Sequence, residues 1–534
     1  RADAERFAVV DAAGEVVTAG DLSEPIEDDA SGDTVRHAAF GDVTEPGIYT
    51  LAVGDGVASH RFAVGEGVWG RTLAQLGRRY TLRRANTELA DPVTGLDIGP
   101  GHPQDAEAEL YFGDEFHDEG ESIDVSGGWY DAGDYGKYVT PGAITVAQLL
   151  LAYERNPDTF EVGQFAVPEG VSTAEREAGM PDLLAEAKHK LEWLARMQRP
   201  DGAVYHKVAG TEWPAMDTRP TEDDQTRYVF GLSTYGTGMV AGAAVMAARI
   251  YREFDADFAD RMLAVAESAF AFLDSNPDPI FRRDEGQNSG SGGYAKETDA
   301  EERFWAAAEL LKTTGESRYA DYLDSTLPEL FDRRPPAVSW SNALALGQWA
   351  YYSADAGDDD RTATLGENFV AAANAIVDRI ESEGYRVALS ADEYYWSSAK
   401  VAVAKGTLLL LANDIEPREA YVAGALDQVH YVLGRTPTGY SYVTGAGTTT
   451  PQNPHSRTVE STGVNVPGNL VGGPNAEGGD PVLDEFIEGE SPPPMKCYVD
   501  ETGSYASNEP AIDYAAPLVV ALAEFTPTDA IGVE

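Results

Sequence analysis

The change of hydrophobic period near residue 66 divides this 534-residue chain into two parts. Before it, β-branched and aromatic residues alternate in short runs at 7–10, 15–18, 47–53 and 59–64, separated by Gly/Asp turns. After it, apolar residues recur at i, i+3, i+4 and i+7, which is typical of helices packed on a core. We therefore predict a small β-sandwich over residues 1–65 and a large helical domain over residues 66–534.

Ten helical stretches are predicted in the second part. They cover 142–155, 181–197, 237–253, 258–274, 300–314, 341–354, 363–382, 398–413, 417–433 and 510–525. Helices of this number in sequence can pair as hairpins around a central axis. The long loops between them, at 98–141, 200–235, 282–298 and 434–508, are rich in Gly, Pro and aromatic residues. Loops of that length in a compact domain are usually functional.

The charge of the chain excludes several kinds of partner. It carries 90 acidic against 39 basic residues, a formal net charge of -51. Such a surface repels nucleic acid and anionic membranes. The alternative of an acidic protein with disordered tails fits less well, because the acids are spread along the chain and 43% of residues are hydrophobic. We expect a halophilic protein, adapted to concentrated salt that screens the repulsion.

Three further observations limit the setting of the protein. The single cysteine, Cys497, excludes an intramolecular disulfide and a site made of several thiolates. No run of about 18 apolar residues occurs, so no membrane span is expected. The chain begins at Arg1 without a charged-then-apolar leader, so a secreted form would have lost its signal. We expect a secreted monomer.

The run Gly127-Gly128-Trp129-Tyr130-Asp131-Ala132-Gly133-Asp134 places two carboxylates three residues apart among glycines and aromatic rings. Glycosidic bonds break through a cation-like transition state that needs carboxylates nearby, and flat rings stack on sugars. The alternative is an Asp-Gly turn that caps the helix starting near Pro141. On its own the run does not decide between them.

Three other loop segments hold polar or aromatic groups suited to a sugar site. Glu509 lies just ahead of the last apolar helix, where it could also be an acid favoured by the helix dipole. His455 and Arg457 could supply hydrogen-bond donors for sugar hydroxyls, or they could belong to a solvated turn. Trp396 follows two tyrosines, and His206 and Trp213 lie in an earlier loop. Such rings stack on sugar or fill a core about equally often.

The segment from Val125 to Tyr138 closely resembles the signature of glycoside hydrolase family 9, the inverting cellulases. Segments 302–309, 440–457, 470–475 and 508–518 are similar to the other family signatures, in the same order. The resemblance covers about residues 66–534. The strand-rich start is similar to the immunoglobulin-like module that one subgroup of the family carries.

The resemblance implies a mainly α fold, an (α/α)6 barrel of six hairpins. It also implies an enzyme that hydrolyses β-1,4 bonds in cellulose or another β-glucan. It implies that Asp134 is the general base, that Asp131 helps to hold the attacking water, and that Glu509 is the general acid. The acid must keep its proton, so a raised pKa is expected for Glu509. An inverting site also needs roughly 6.5–9.5 Å between the carboxyls.

The resemblance also assigns sugar contacts to five side chains: His206, Trp396, His455, Arg457 and Tyr514. The sequence departs from the family at Ser456, where many members have a second histidine. It also departs at Lys400, where some members have a subsite arginine. These differences bear on how the glucan chain is held.

No catalytic cofactor is implied, but metals are. Members with the immunoglobulin-like module often hold a zinc on two Cys and two His. Here Ala85 and Gly101 stand at the comparable positions, leaving His102 and His117, so we predict that this zinc is absent. A structural calcium on Thr298, Glu301 and Glu302 is implied, since family members bind calcium near this segment. The alternative is an ordinary charged helix start.

Two other functions remain open at this stage. The family includes exo-acting glucosidases and glucosaminidases, which a loop blocking one end of the cleft would distinguish. The chain could also be a non-catalytic carbohydrate-binding protein on an inherited fold. We expect residues 1–65 to pack against and stabilise the barrel, because they contain no exposed aromatic row that would bind cellulose.

Overall fold

The computed structural model describes residues 4–54, 56–281 and 290–533. Residues 282–289 of the predicted loop 282–298 therefore lie outside the described part. The N-terminal strands are β1 Arg6–Asp11, β2 Val16–Asp21, β3 Ile26–Asp28, β4 Asp33–Val35, β5 Gly47–Val53, β6 Val57–Ala58 and β7 Phe62–Val64. Five of them form one antiparallel sheet in the order β2-β1-β5-β6, with β7 also paired to β5. Phe7, Val9, Val43 and Tyr49 form its small core.

The hairpin β3–β4 was not predicted, and it joins the N-terminal domain to the helical one. The Asp33 carboxylate accepts from Lys496 Nζ at 2.7 Å and from the Tyr385 hydroxyl at 3.0 Å. Asp28 accepts from the Tyr385 amide, and the carbonyl of Ala30 accepts from an amide of the 494–496 turn. Ala30 is part of the main core of the helical domain. The hairpin therefore bridges two loops of that domain.

Twelve helices in the described part of the chain form six hairpins, the (α/α)6 barrel that the resemblance implied. The outer helices are α1 Gly70–Thr81, α4 Asp182–Arg196, α6 Ala256–Ser275, α8 Ser317–Thr326, α10 Asp359–Ser382 and α12 Glu419–Val432. The inner helices are α2 Val139–Arg155, α5 Thr234–Ile250, α7 Ala300–Thr314, α9 Leu344–Tyr352, α11 Ser398–Ile415 and α16 Ile512–Glu524. Within the inner ring α16 packs on α2, α2 on α5, α5 on α7, α7 on α9 and α11 on α16.

The hydrophobic pattern predicted ten of these twelve helices and missed α1 and α8. Helix α1 has no side-chain cap and no acid in its first turn, and it buries arginines where a core helix usually buries apolar residues. Helix α8 buries only Tyr319 and Leu323. Four further helices, short or lying in predicted loops, are α3 Thr173–Glu177, α13 Arg457–Thr462, α14 Pro481–Glu490 and α15 Tyr505–Asn508.

A second sheet lies within the predicted loops 98–141 and 200–235. Ahead of it in the chain, β8 Leu89–Ala90 and β9 Asp97–Ile98 pair with each other as a separate two-stranded sheet. The second sheet itself consists of β10 Ala108–Leu110, β11 Ser122–Ile123, β12 Lys137–Tyr138, β13 Tyr205–Ala209 and β14 Tyr228–Leu232, in the order β11-β10-β14-β13-β12. Strand β12 directly follows the Asp131/Asp134 motif and runs into α2. The sheet therefore fixes the end of that motif.

Several inner helices are buried on nearly all sides, as expected for the centre of a two-layered barrel. Even so, none of the helices described is both long enough and apolar enough to cross a membrane.

Candidate active site

The loop that carries Asp131 and Asp134 is fastened at both ends. Gly128 has a φ of +75°, and a side chain there would press on the Trp193 ring, so only glycine fits. At the other end Lys137 is wholly buried, pairs with Asp105 at 2.6 Å and donates to the carbonyl of Val125 at 2.8 Å. These contacts hold the two carboxylates in one orientation.

Asp134 is aimed into the cleft by one hydrogen bond. The Tyr138 hydroxyl donates to Asp134 Oδ2 at 2.6 Å, and the Tyr138 hydroxyl in turn accepts from the Gly292 amide at 2.8 Å. Asp134 Oδ1 has no hydrogen-bond partner among the described residues. A buried carboxylate oxygen of this kind calls for a polar partner such as a water molecule. Asp134 is thus placed to receive a proton from water.

Asp131 lies beside Asp134 and is wholly buried. Its Oδ2 accepts a hydrogen bond from the Tyr294 hydroxyl, and its Oδ1 has no partner in the described part of the chain. Burial, followed by repulsion from Asp513, raises the pKa of Asp131 well above its usual range. Asp131 is therefore suited to hold its neighbours in place rather than to act as a second base.

Glu509 reaches the same loop from the far end of the sequence. Its Oε1 accepts the amide hydrogen of Gly133, between the two aspartates, at 2.9 Å. Burial and repulsion from Asp134 raise the pKa of Glu509 to about 8, although the Gly133 amide, Arg457 and Arg83 act against that rise. Glu509 therefore keeps its proton at neutral pH, as a general acid must.

Gly133 is the point where the two halves of the site meet. A Cβ at this position would lie 2.3 Å from the His455 carbonyl oxygen and 2.9 Å from Glu509 Oε1. No side chain fits there. The glycine of the motif is thus explained by the approach of two other loops, which the sequence pattern alone does not show.

His455 and Arg457 lie next to these carboxyl groups, as the sequence predicted. His455 Nδ1 is 2.7 Å from the carbonyl oxygen of Thr502, so that nitrogen carries the hydrogen and Nε2 is left as an acceptor. Burial lowers the pKa of His455 and keeps the ring neutral. Arg457 donates to the carbonyls of Gly133 and Pro214. Ser456 caps α13 by accepting from the Val459 amide, which explains a serine at this position.

Aromatic rings line the cleft around the carboxyl groups. Trp213 and Trp396 are 54% and 39% exposed, unusually open for tryptophan, and both face a cavity of about 950 Å³. The Trp396 indole donates to the Tyr514 hydroxyl at 3.0 Å, and the Arg457 guanidinium lies over the Trp213 ring. Open rings held in fixed orientations are suited to stacking on pyranose units.

Lys400 and Asp513 form a buried ion pair in the cleft wall. Lys400 Nζ lies 2.9 Å from Asp513 Oδ2, and both residues line the cavity. Asp513 Oδ1 has no partner among the described residues. The lysine thus stands at a cleft position, as the resemblance implied, but its charge is already matched by Asp513.

His206 is not on the cleft surface. It is wholly buried, and its ring nitrogens lie 3.1 Å from Ser233 Oγ and 2.8 Å from the Gly293 carbonyl oxygen. This corrects the predicted sugar contact: His206 supports the 290–295 segment, from which Tyr294 reaches Asp131. Tyr138, Tyr294 and Asp513 were not named as site residues from the sequence, although Tyr138 and Tyr294 fall in the motif and in a predicted functional loop.

The residues at the comparable zinc positions do not fit a closed zinc site. A side chain at Gly101 would press on Pro220 and the Tyr130 hydroxyl. The His102 ring nitrogens lie 2.6 Å from the Tyr130 hydroxyl and 3.2 Å from Asp223, so both are occupied. The absence of zinc remains a prediction, supported by this donor set.

The side chains at the predicted calcium site already have a cation. Lys296 Nζ lies 2.7 Å from both carboxylate oxygens of Glu302 and 3.2 Å from Glu301, which also pairs with Arg333. Thr298 is exposed. No group of three or more His, Cys, Asp or Glu suited to a metal occurs in the described ranges. These residues therefore do not fit calcium.

The geometry brings an ionisable base, a protonated acid and aromatic platforms to one cleft. Asp134 can take a proton from a water while Glu509 gives one to a leaving oxygen, which is the chemistry of acid/base hydrolysis. A binding protein would need the rings, but not a buried glutamic acid that keeps its proton beside a second carboxyl group.

Comparison with known proteins adds independent support. The sequence model described as "Glycosyl hydrolase family 9" matches residues 69–522, and "Cellulase N-terminal ig-like domain" matches residues 1–57. The crystal structure of "GH family 9 endoglucanase J30" is 49% identical, with a TM-score of 0.96 over 98% of this chain and 97% of that one. "Endoglucanase D" of Acetivibrio thermocellus is 31% identical over 98% of this chain and 80% of its own length. "Cellodextrinase" of Butyrivibrio fibrisolvens is 30% identical over 97% and 95%.

Proposed function

Because the chain belongs to glycosyl hydrolase family 9, and is thus a glycoside hydrolase, we propose that it is an endo-acting β-1,4-glucanase. Its substrate class is cellulose or a related β-glucan. The observation that carries the proposal is the hydrogen bond from the Gly133 amide to Glu509. Gly133 lies between Asp131 and Asp134 in the sequence. That bond puts the acid and the base on one cleft, and similarity to endoglucanases supports the type of substrate.

The reaction follows from the placement of the two carboxyl groups in one cleft. A glucan chain stacks on the rings of Trp213 and Trp396, with one glycosidic oxygen beside Glu509. Glu509 donates its proton to that oxygen as the bond breaks, and Asp134 accepts a proton from the water that attacks the opposite face of the sugar. The product is the anomer of inverted configuration. Tyr138 keeps the base oriented, and Asp131 helps to hold the attacking water.

The product pattern tests the proposal. Wild-type protein on carboxymethyl cellulose should lower the viscosity much faster than it releases reducing ends, and NMR on short cello-oligosaccharides should show the α-anomer first. Glucose alone, released from chain ends, would instead identify an exo-acting enzyme. No reducing sugar from any β-glucan would leave only carbohydrate binding.

The activity should fall at alkaline pH as Glu509 loses its proton. Its pKa of about 8 means that the acid form is present below pH 8 and is lost as pH rises through that value. This alkaline limb of the pH profile should therefore lie near pH 8, and we expect kcat/KM to fall about tenfold for each pH unit above it. An ordinary glutamate, with a pKa near 4.5, would give a limb more than three units lower. Initial rates in buffers of constant ionic strength measure the limb, and a decline that begins near pH 5 would contradict the assignment.

We propose further that the protein is secreted and works in concentrated salt. An insoluble glucan cannot enter a cell, so its hydrolase must leave the cell. The net charge of -51 is tolerable where salt screens the repulsion, since the screening length is about 3 Å at 1 M against about 30 Å at 0.01 M.

Transfer to dilute buffer should therefore unfold the protein. The expected result is a progressive fall of the melting temperature as the salt concentration drops, followed by loss of activity. Circular dichroism across a salt series measures it, with sucrose at matched water activity as the control. Full structure and activity at 0.01 M salt would exclude salt adaptation.

A further inference from the structure

Two arginines at the C-terminal end of α1 reach the backbone of the loops that carry the base and the acid: Arg79 lies in the last turn of the helix, and Arg83 lies two residues beyond its end. Arg83 NH1 donates to the carbonyls of Asp131 at 3.1 Å and Ala132 at 2.6 Å. Its NH2 donates to the carbonyl of Pro510, next to Glu509, at 3.4 Å. One guanidinium therefore holds segments more than 370 residues apart in sequence.

Arg79, four residues earlier in α1, contacts the backbone just after Glu509. It is wholly buried, and its NH2 donates to the carbonyl of Ala511 at 3.1 Å. Its Nε donates to Asn469 Oδ1 at 3.0 Å, and Arg83 NH2 donates to the same oxygen at 3.3 Å. Asn469 thus ties the two guanidinium groups together.

The pair is electrostatically unfavourable, which argues against a role in packing alone. Burial and the charge of Arg79 lower the pKa of Arg83 to about 9. A helix that only filled space would bury apolar side chains here, because burying like charges side by side is costly. The planar fork of arginine instead reaches several carbonyl oxygens at once in a fixed geometry, which no apolar residue does.

We propose that Arg79 and Arg83 are positioning residues that set the separation of the base and the acid. The inference rests on the proposed roles of Asp134 and Glu509. An inverting site needs its two carboxyls within a limited range of roughly 6.5–9.5 Å. Through Arg83 the turn after α1 joins the two loops, in addition to the bond from the Ile512 amide to the Asp131 carbonyl. The Arg83 charge also opposes the rise in the pKa of Glu509.

Arg83→Lys and Arg83→Met separate position from charge. Both variants lose the fork, so kcat should fall roughly a hundredfold while KM stays within about twofold, because misplacement of about 1 Å costs rate rather than affinity. Lysine keeps the cation, so its alkaline limb should stay near pH 8. Methionine removes the cation, so its limb should move to higher pH.

Arg71→Lys is the matched control, since Arg71 is an exposed arginine on α1, and it should behave as wild type. If the Arg83 variants do not fold, Asn469→Ser removes the shared acceptor and should lower kcat at least tenfold in a folded protein. The inference would be overturned if Arg83→Lys had the wild-type kcat and the wild-type alkaline decline of activity. It would also be overturned if the loss of activity followed the unfolded fraction measured by circular dichroism. Failure of all these variants to fold would also overturn it. Wild-type protein without hydrolysis would refute the proposed function itself.

Discussion

Glu509→Gln should abolish hydrolysis of unactivated glucan while leaving the protein folded. The glutamine carbonyl can still accept the Gly133 amide, and below pH 8 it replaces an acid that is already uncharged, so the melting temperature should not change. Without a transferable proton the leaving oxygen departs as an alkoxide, and kcat should fall by about 10²–10⁴. Reducing-sugar release from soluble glucan measures the loss.

The leaving group distinguishes loss of the acid from general damage. On a dinitrophenyl cellobioside, whose leaving group needs no proton, Glu509→Gln should keep most of the wild-type rate. Glu501→Gln changes an exposed acid eight residues earlier and should leave both rates unchanged. An equal loss on both substrates would remove Glu509 from the role of general acid.

Asp134→Asn should lose activity on both kinds of substrate. Asparagine can accept the Tyr138 hydroxyl as aspartate does, so the loop is expected to keep its shape. It cannot take a proton from water, and kcat should fall by about 10²–10⁴ whatever the leaving group. Parallel assays on glucan and on the dinitrophenyl cellobioside give the comparison.

Azide ion offers a direct check of the base, because it attacks without losing a proton. Added azide should restore turnover of the activated substrate by Asp134→Asn and yield the α-glycosyl azide. Asp124→Asn, an exposed acid in the same segment, serves as the control and should match wild type. Near wild-type hydrolysis of glucan by Asp134→Asn would show that another group activates the water.

The sequence predicted that three carboxyl groups share one cleft, because the prediction rests on side chains of distinctive type. Asp131, Asp134 and Glu509 stand in short motifs of Gly and aromatic residues, and the structure brings them to one cleft. The inner helices were likewise predicted, because they are rich in apolar residues, which the structure buries on nearly all sides of several of them. Both the site motifs and the helices depend on residue types at a fixed spacing, which the sequence shows directly.

What the sequence did not reveal depends on backbone atoms and on distant neighbours. Arg83 acts on carbonyl oxygens, which every residue has, so its acceptors leave no pattern. His206 has the chemistry of a sugar ligand, but its position behind the 290–295 segment is set by tertiary packing. Glu301 and Glu302 have the donors for calcium, and only the fold shows Lys296 between them.

The β3–β4 hairpin has a consequence for the evolution of the protein. Its Asp33 holds Lys496, two residues before Tyr498, whose hydroxyl donates to Asn508 beside Glu509. The small domain is thus linked to the catalytic acid through a short series of contacts. Recombination that exchanged this domain for another of similar fold would break that series. The two domains are therefore expected to be inherited together and to accumulate compensating substitutions across their boundary.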